Sequence, residues 1–338
     1  MAGLSPKAAA RIARESAVQT FDPAARALNM DWGTSYDGKQ IQRWGEALGG
    51  SLVARRQAER EAYERGQRPQ APANAAPLLV IGMDGGRIQG RELNGETGTR
   101  WREEKVLTIS SYLRGDGQDT PPQKLVNTYL ATMDDSAAFG KLAVVEAERR
   151  GLRSAEQVIV MGDGGAWIDT QWEEHFALNP RIVDYYHAVE HLHDAAAARH
   201  PDDDDARRAW AEQLKGLLWN GQVQQLLEQL RQASEQLGPP REGDGPQHPR
   251  RILAQNIGYF QNHARHMNYP EYRRRGWPIA SGVTESGVKL FNKRVKGTEQ
   301  FWSTPGAESI LALRALWLSE DQRWDHYWSG PSPRKQAA

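Results

Sequence analysis

In the first fifth of the chain, apolar residues recur with a helical period. In FDPAARALNMDWGTSYDGKQIQRWGEALGG, Phe21, Ala24 and Leu28 line one face of a first segment, and Ile41, Trp44 and Leu48 line one face of a second. The turn-rich GTSYDG separates them. Asp37 followed three residues later by Gln40 is a capping-box pattern, and Gly49 and Gly50 offer a stop. The outline is that of a helix-turn-helix, with Lys39, Gln40, Gln42 and Arg43 near the exposed start of the second helix, where such motifs read DNA. A plain packing hairpin gives the same pattern. SLVARRQAEREAYERG then predicts a charged connecting helix, and the Pro/Ala-rich QRPQAPANAAP a linker ending near residue 76.

Beyond the linker the pattern changes to strands alternating with helices, which predicts an α/β layer structure. PLLVIGMDGG is an apolar run ending in Asp84 and glycines, and the charged stretch from Arg100 leads into the strand-like KVLTISSYL. Residues 136–150 have amphipathic helical spacing. QVIVMGDGG repeats the first arrangement, with Asp163 last in the strand. RIVDYYHAVEHLHDAAAA reads as a strand running into a helix. From about 188 to 260 only helices are predicted, broken by GPPREGDGPQHP, with Trp210, Leu214, Leu217, Leu218, Leu226, Leu227 and Leu230 as core candidates.

Composition narrows the functional classes. At 338 residues the chain is long enough for two domains or three, and 39% hydrophobic residues with 12 Trp supply a core. Cysteine is absent, which removes thiol nucleophiles and thiolate metal sites and leaves carboxylates and His as ligands. No apolar run approaches the ~18 residues of a membrane span, and the N-terminus lacks a signal-peptide core, so a cytoplasmic protein without a membrane partner is expected. The 43 basic and 43 acidic residues cancel, yet residues 248–299 hold ten Lys/Arg against three acids. Such segregation suits a face for a polyanion, and also an ordinary solvated helical surface.

Two apolar strands that each end in Asp-Gly place carboxylates where α/β sheets form their ligand crevice. The third element is SGVTESGVKLFNKRVKG, a predicted helix of about 14 residues. Taking Glu285 as zero at 100° per residue, Lys289 lies at about 40°, Lys293 at about 80° and Lys296 at about 20°. Glu285 thus shares a face with three lysines, while Val288, Leu290, Phe291 and Val295 turn toward the core. An i,i+4 ion pair accounts for the geometry alone. A carboxylate that holds a divalent cation, followed by cations that grip phosphates, also accounts for its position at the head of the run. Asp84, Asp163 and Glu285 are hard oxygen donors suited to two Mg²⁺ or Mn²⁺ ions, the arrangement that serves in-line phosphoryl displacement.

GMDGG at Asp84, VIVMGDGGAWI at Asp163, DYYHAVEH at 184–191, WPIASGVTESGVK at Glu285 and the following FWSTPGAESILALRAL resemble the bacterial insertion-sequence DDE transposases of the ISKra group, distant relatives of Mutator-like elements. The resemblance runs over about residues 20 to 328. It implies an RNase H-like core with Asp84 on the first strand, Asp163 after the fourth and catalytic Glu285 on a late helix, beyond an all-helical insertion. The expected organisation is an N-terminal helical DNA-binding domain over 1–66, a linker over 67–77, core parts over 78–187 and 269–330 flanking an insertion over 188–268, and a tail over 331–338. Asp184 and His187 match the family's Asp-x-x-His signature, which orders the active site or a flipped base; a His satisfied by a backbone carbonyl is the alternative. Trp167 and Trp302 are candidates to stack on unpaired bases, or else core residues. Arg273, Arg274 and Arg275, with Lys289, Lys293 and Lys296, are expected on DNA phosphates. The activity implied is cleavage and strand transfer of double-stranded DNA at element ends by a homodimer. A domesticated DNA-binding or targeting protein, or a structure-selective nuclease of the same fold, are the alternatives; the missing N-terminal cysteines of relatives and the neutral charge support the former, and the intact Asp84, Asp163 and Glu285 weigh against it.

Overall fold

Side-chain caps start several of the helices at the places where the chain leaves extended backbone. In the computed structural model, which describes residues 4–329 apart from 96, 118, 119 and 298, the Ser5 hydroxyl accepts from Ala8 N to open α1 (Pro6–Val18). α2 (Phe21–Trp32) stops at Gly33, whose φ of 63° favours glycine. Asp37 accepts from Gln40 N and opens α3 (Gly38–Glu64). There follow β1 (Leu78–Gln89), β2 (Trp101–Leu113), β3 (Gln123–Thr132), α4 (Ser136–Arg149), β4 (Val158–Gly162), α5 (Ala166–His175), β5 (Arg181–Val183), α6 (Tyr185–Arg199), α7 (Asp204–Trp219), α8 (Val223–Leu237), α9 (Pro249–His263), α10 (Tyr269–Arg274), α11 (Gly282–Val295), α12 (Thr304–Leu318) and α13 (Arg323–Ser329). The strands form a five-stranded mixed sheet in the order β3-β2-β1-β4-β5, with β1 and β2 antiparallel and β4 and β5 parallel. This is an α/β architecture compatible with an RNase H-like core. The tail expected over 331–338 lies outside the described residues.

The chain divides into two compact units, the first made of Met1–Tyr112, Lys124–Val158 and Gly282–Ala338, the second of Leu113–Gln123 and Ile159–Ser281. In the first, Ile12, Leu28, Ile41 and Leu48 of the N-terminal helices join Ile88, Val106, Phe291, Val295, Ile310 and Leu311 in one apolar cluster. The helices expected as a domain over 1–66 therefore share their core with the strands and with α11 and α12. The stretch from 67 to 77 holds neither helix nor strand.

Gly49 and Gly50 do not stop the second predicted helix, because α3 runs through them to Glu64 and absorbs the charged connecting segment. The reason is packing. α3 crosses α12 so closely that a Cβ at Gly49 would lie 2.1 Å from the Ser309 carbonyl oxygen. Gly49→Ala is therefore expected to destabilise the protein by about 1–3 kcal/mol, the usual penalty for overpacking against rigid backbone, and urea denaturation would measure it.

In the second unit α6, α7, α8 and α9 pack on one another, and Trp210, Leu214, Leu218, Leu226, Leu227 and Leu230 are buried as their spacing predicts; Leu217 is only partly covered. Residues 239–248 are free of helix, in keeping with their Gly/Pro content. Among the described residues no helix is long and apolar enough to cross a membrane.

Candidate active site

Asp84 stands within β1, because the strand continues past its Asp-Gly-Gly to Gln89; it is not at the strand end that the apolar run alone suggests. Opposite it, β2 begins at Trp101 and takes in the charged residues of its lead-in. The register pairs Gly82 with Thr108, Asp84 with Val106 and Gly86 with Glu104. Alternation along a strand puts Gly82, Asp84, Gly86 and Ile88 on one face, with Thr108, Val106 and Glu104 beside them.

α11 covers that face. Thr284 and Thr108 share a hydroxyl–hydroxyl hydrogen bond of 2.8 Å, and a Cβ at Gly82 would come within 2.0 Å of the Thr284 hydroxyl oxygen. Gly82 is thus the seat that lets the start of the helix reach the sheet. Gly287 lies against the Tyr129 ring, and Phe291 and Val295 enter the core cluster with Ile88 and Val106. Glu285 follows Thr284, half-buried, with its Oε2 3.5 Å from Lys289 Nζ. Lys289, Lys293 and Lys296 are exposed, as the helical-wheel reading predicts, while Val288 and Leu290 are only partly covered.

Asp84 Oδ1 accepts from Gly85 N at 2.6 Å, which turns the carboxylate along the strand. Glu104 was hidden in the sequence among charged neighbours. It is 0% exposed, neither carboxylate oxygen has a hydrogen-bond partner among the described residues, and burial pushes its carboxyl up to about 7, with Lys296 offsetting part of that shift. Its one mark in the sequence is the spacing by two from Val106 and Thr108 in WREEKVLT.

In the second unit Asp163 directly follows β4 and its Oδ1 accepts from Gly165 N at 2.8 Å. Tyr259 of α9 donates its hydroxyl to the Asp163 carbonyl oxygen at 3.0 Å, and its ring stacks on His191 with centroids 3.8 Å apart. Gly164, at φ 94°, leaves room for that ring and for His263. Burial, helped by the Asp163 charge, holds the Tyr259 phenol well above the usual tyrosine range. The turn bearing Asp163 is therefore held from the helical insertion.

Asp184 is fully buried and works as a tether. Its Oδ1 accepts from Tyr186 N at 2.7 Å and His187 N at 3.0 Å, capping α6, and its Oδ2 accepts from Ser281 N. Asp184→Ala is expected to destabilise by about 1–2 kcal/mol through the lost cap, measurable as a drop in thermal midpoint. His187 Nδ1 lies 3.3 Å from the Glu190 carboxylate. Trp167 is half-buried on α5.

Packing already engages several of the other candidates. Trp302 is a core residue, not an open stacking platform: it is buried, donates Nε1–H to the Val295 carbonyl oxygen at 2.7 Å, and lies under the Arg294 guanidinium and edge-on to Phe21. The Arg273 guanidinium stacks on Trp219 at 3.6 Å and donates to the Trp219 carbonyl oxygen. Arg274 and Arg275 both bond the Glu271 carboxylate and hold its carboxyl down to about 2, so this charge cluster is partly neutralised within its own helix turn. At the N-terminus of α3, Lys39 and Arg43 are exposed and Gln40 is half-buried.

Among the described residues no group of three or more His, Asp or Glu is gathered closely enough to hold a metal ion. The donor chemistry itself suits a hard divalent cation: carboxylates without thiolates, including one buried carboxylate whose oxygens have no donor among the described residues.

No family model matches the chain, and no curated protein does. Among solved structures, it is similar to a chain of a Drosophila P element transposase strand transfer complex, with 11% identity, a TM-score of 0.40, and 96% of this chain and 94% of that chain covered.

Proposed function

We propose that this chain is a metal-dependent DNA transposase that cuts a strand at an element end and joins the freed 3′-OH to target DNA. The observation that supports the reading most is the seating of α11 on β1. Through Gly82, Thr284 and Thr108 it sets Asp84 two residues and Glu285 one residue from a shared contact, on the strand and late helix where the DDE transposases that the sequence resembles carry their first and last acids. In this reading Asp163 is the remaining acid of the set.

A pair of Mg²⁺ ions, when bound by Asp84, Asp163 and Glu285, would supply charge to activate the entering oxygen and to stabilise the leaving one. The residues themselves hold the geometry. Lys289 and Lys293, exposed one and two turns after Glu285, would contact the phosphates flanking the scissile bond. In cleavage a water oxygen adds to phosphorus, the bond to the 3′-oxygen breaks, and that oxygen leaves as a hydroxyl. In transfer the same hydroxyl adds to a target phosphorus and displaces its 3′-oxygen. Lys39, Gln40 and Arg43 at the start of α3 would read the end sequence, and a homodimer would bring two ends together.

The test is incubation of the full chain with Mg²⁺ and a duplex carrying the DNA that borders its own coding sequence, followed by addition of target plasmid. Nicked ends and joined products are expected. Cleavage without joining would instead assign a nuclease, and end binding without any nick in Mg²⁺ or Mn²⁺ a targeting protein.

A further inference from the structure

A fully buried carboxylate ordinarily keeps a donor on each oxygen, since it has given up its water. Glu104 has none on either oxygen among the described residues, at 0% exposure. The register says where those oxygens go. Glu104 pairs with Gly86 and Asp84 with Val106, so the two acids are diagonal neighbours on the face that α11 covers, about 7–8 Å apart in an antiparallel pair. Gly86 gives Glu104 room to lean across, because a Cβ there would lie 2.4 Å from its Oε1. A buried carboxylate whose two oxygens have no donor among the described residues calls for a cation.

We propose that Glu104 is a further oxygen ligand of the divalent cation held by Asp84, seated on the α11-covered face of β1 and β2. The inference rests on the reading that Asp84 and Glu285 bind such an ion, and it adds to the three acids a fourth that the DDE pattern does not contain. With Gly86 as its cradle, the pairing also gives GMDGG a second role: the glycine two residues after Asp84 is there for the carboxylate opposite.

The test is Mn²⁺ binding to the full chain without DNA, read from the electron paramagnetic resonance of the free ion, together with thermal melting in EDTA and in Mn²⁺. Glu104→Gln is expected to weaken Mn²⁺ binding on the order of tenfold to a hundredfold. It should melt no lower than the wild type in EDTA, since a buried charge is gone, and should lose the Mn²⁺-dependent rise. A residue with a packing role alone would lower the melting point in both. Glu104→Met, which removes the charge and fills the space, should give the same pattern if the glutamine variant does not fold. Unchanged Mn²⁺ affinity in the Glu104 variants, with binding lost in Asp84→Asn, would overturn the role of Glu104 and leave the Asp84 reading standing. Mn²⁺ binding that survives Asp84→Asn undiminished would overturn both.

Discussion

Asparagine at Asp84 or at Asp163 is expected to lower Mg²⁺-dependent cleavage of end-bearing DNA by about 10³-fold or more, with DNA binding retained. Each carboxylate already uses one oxygen locally, Asp84 toward Gly85 N and Asp163 toward Gly165 N, and an asparagine carbonyl accepts those same hydrogen bonds. The turns should therefore survive. What is lost is negative charge, the property that binds a divalent cation. If the acids act as a unit, as proposed, the double variant should be scarcely worse than either single one, whereas two independent contributions would multiply. A gel assay of nicked product against time, beside a binding measurement on the same duplex, gives both numbers. Residual cutting near the wild-type rate in either variant would remove that acid from the reaction.

The second large effect concerns stability. Glu146 on α4 is 3% exposed, and its carboxylate takes hydrogen bonds from Arg149 at 2.6 Å, Arg323 at 2.6 Å and the Thr128 hydroxyl at 3.0 Å. Arg149 continues to Glu59 of α3 and Arg323 to Asp321, so one carboxylate gathers α3, α4, β3 and the start of α13. Glu146→Ala would leave two guanidinium groups against a carboxylate-sized hole, and breaking a buried pair in this way typically costs about 3–5 kcal/mol. Urea denaturation measures it. Burial by itself raises the Glu146 carboxyl, but the charges of Arg323 and Arg149 outweigh that, so it is held below the usual 4.5. A depressed carboxyl contributes stability that is complete above its unfolded value and is lost as the pH falls through the folded one. The wild type should lose stability below about pH 4.5 more steeply than Glu146→Gln; parallel acid profiles would deny the network its role.

Where the sequence was legible, one period accounted for one face. The 14-residue α11, with lysines outward and Phe291 and Val295 inward, follows from helical spacing, and the helices of the second unit follow from their leucines. The N-cap at Asp37 is readable for the same local reason. The misreadings arise where a distant segment decides. Glycines at 49 and 50 have the local chemistry of a stop but serve the crossing of α3 with α12, some 260 residues onward. β3 is not anticipated at all: its Asn127 and Thr128, both fully buried, break the apolar pattern and are satisfied by Ser110 and Glu146. Of the two readings open for Trp302, packing decides for the core: its indole fills the space beside Arg294, itself buried and bonded to the Ser16 carbonyl oxygen. Of the candidate site, Asp84, Asp163 and Glu285 were marked by their apolar lead-ins and spacing. Glu104 was not, because its alternation with Val106 and Thr108 marks a face but only strand register shows that Gly86 and Asp84 lie opposite on it.

Asp84, Asp163 and Glu285 are proposed to share bound metal. The most direct measurement is a crystal structure of the protein on end DNA with Mn²⁺, with data collected at the manganese edge. Two anomalous peaks about 3.5–4 Å apart, among the three carboxylates and beside the scissile phosphate, are expected. Carboxylates left apart, with no peak between them while the DNA is bound, would contradict the proposal.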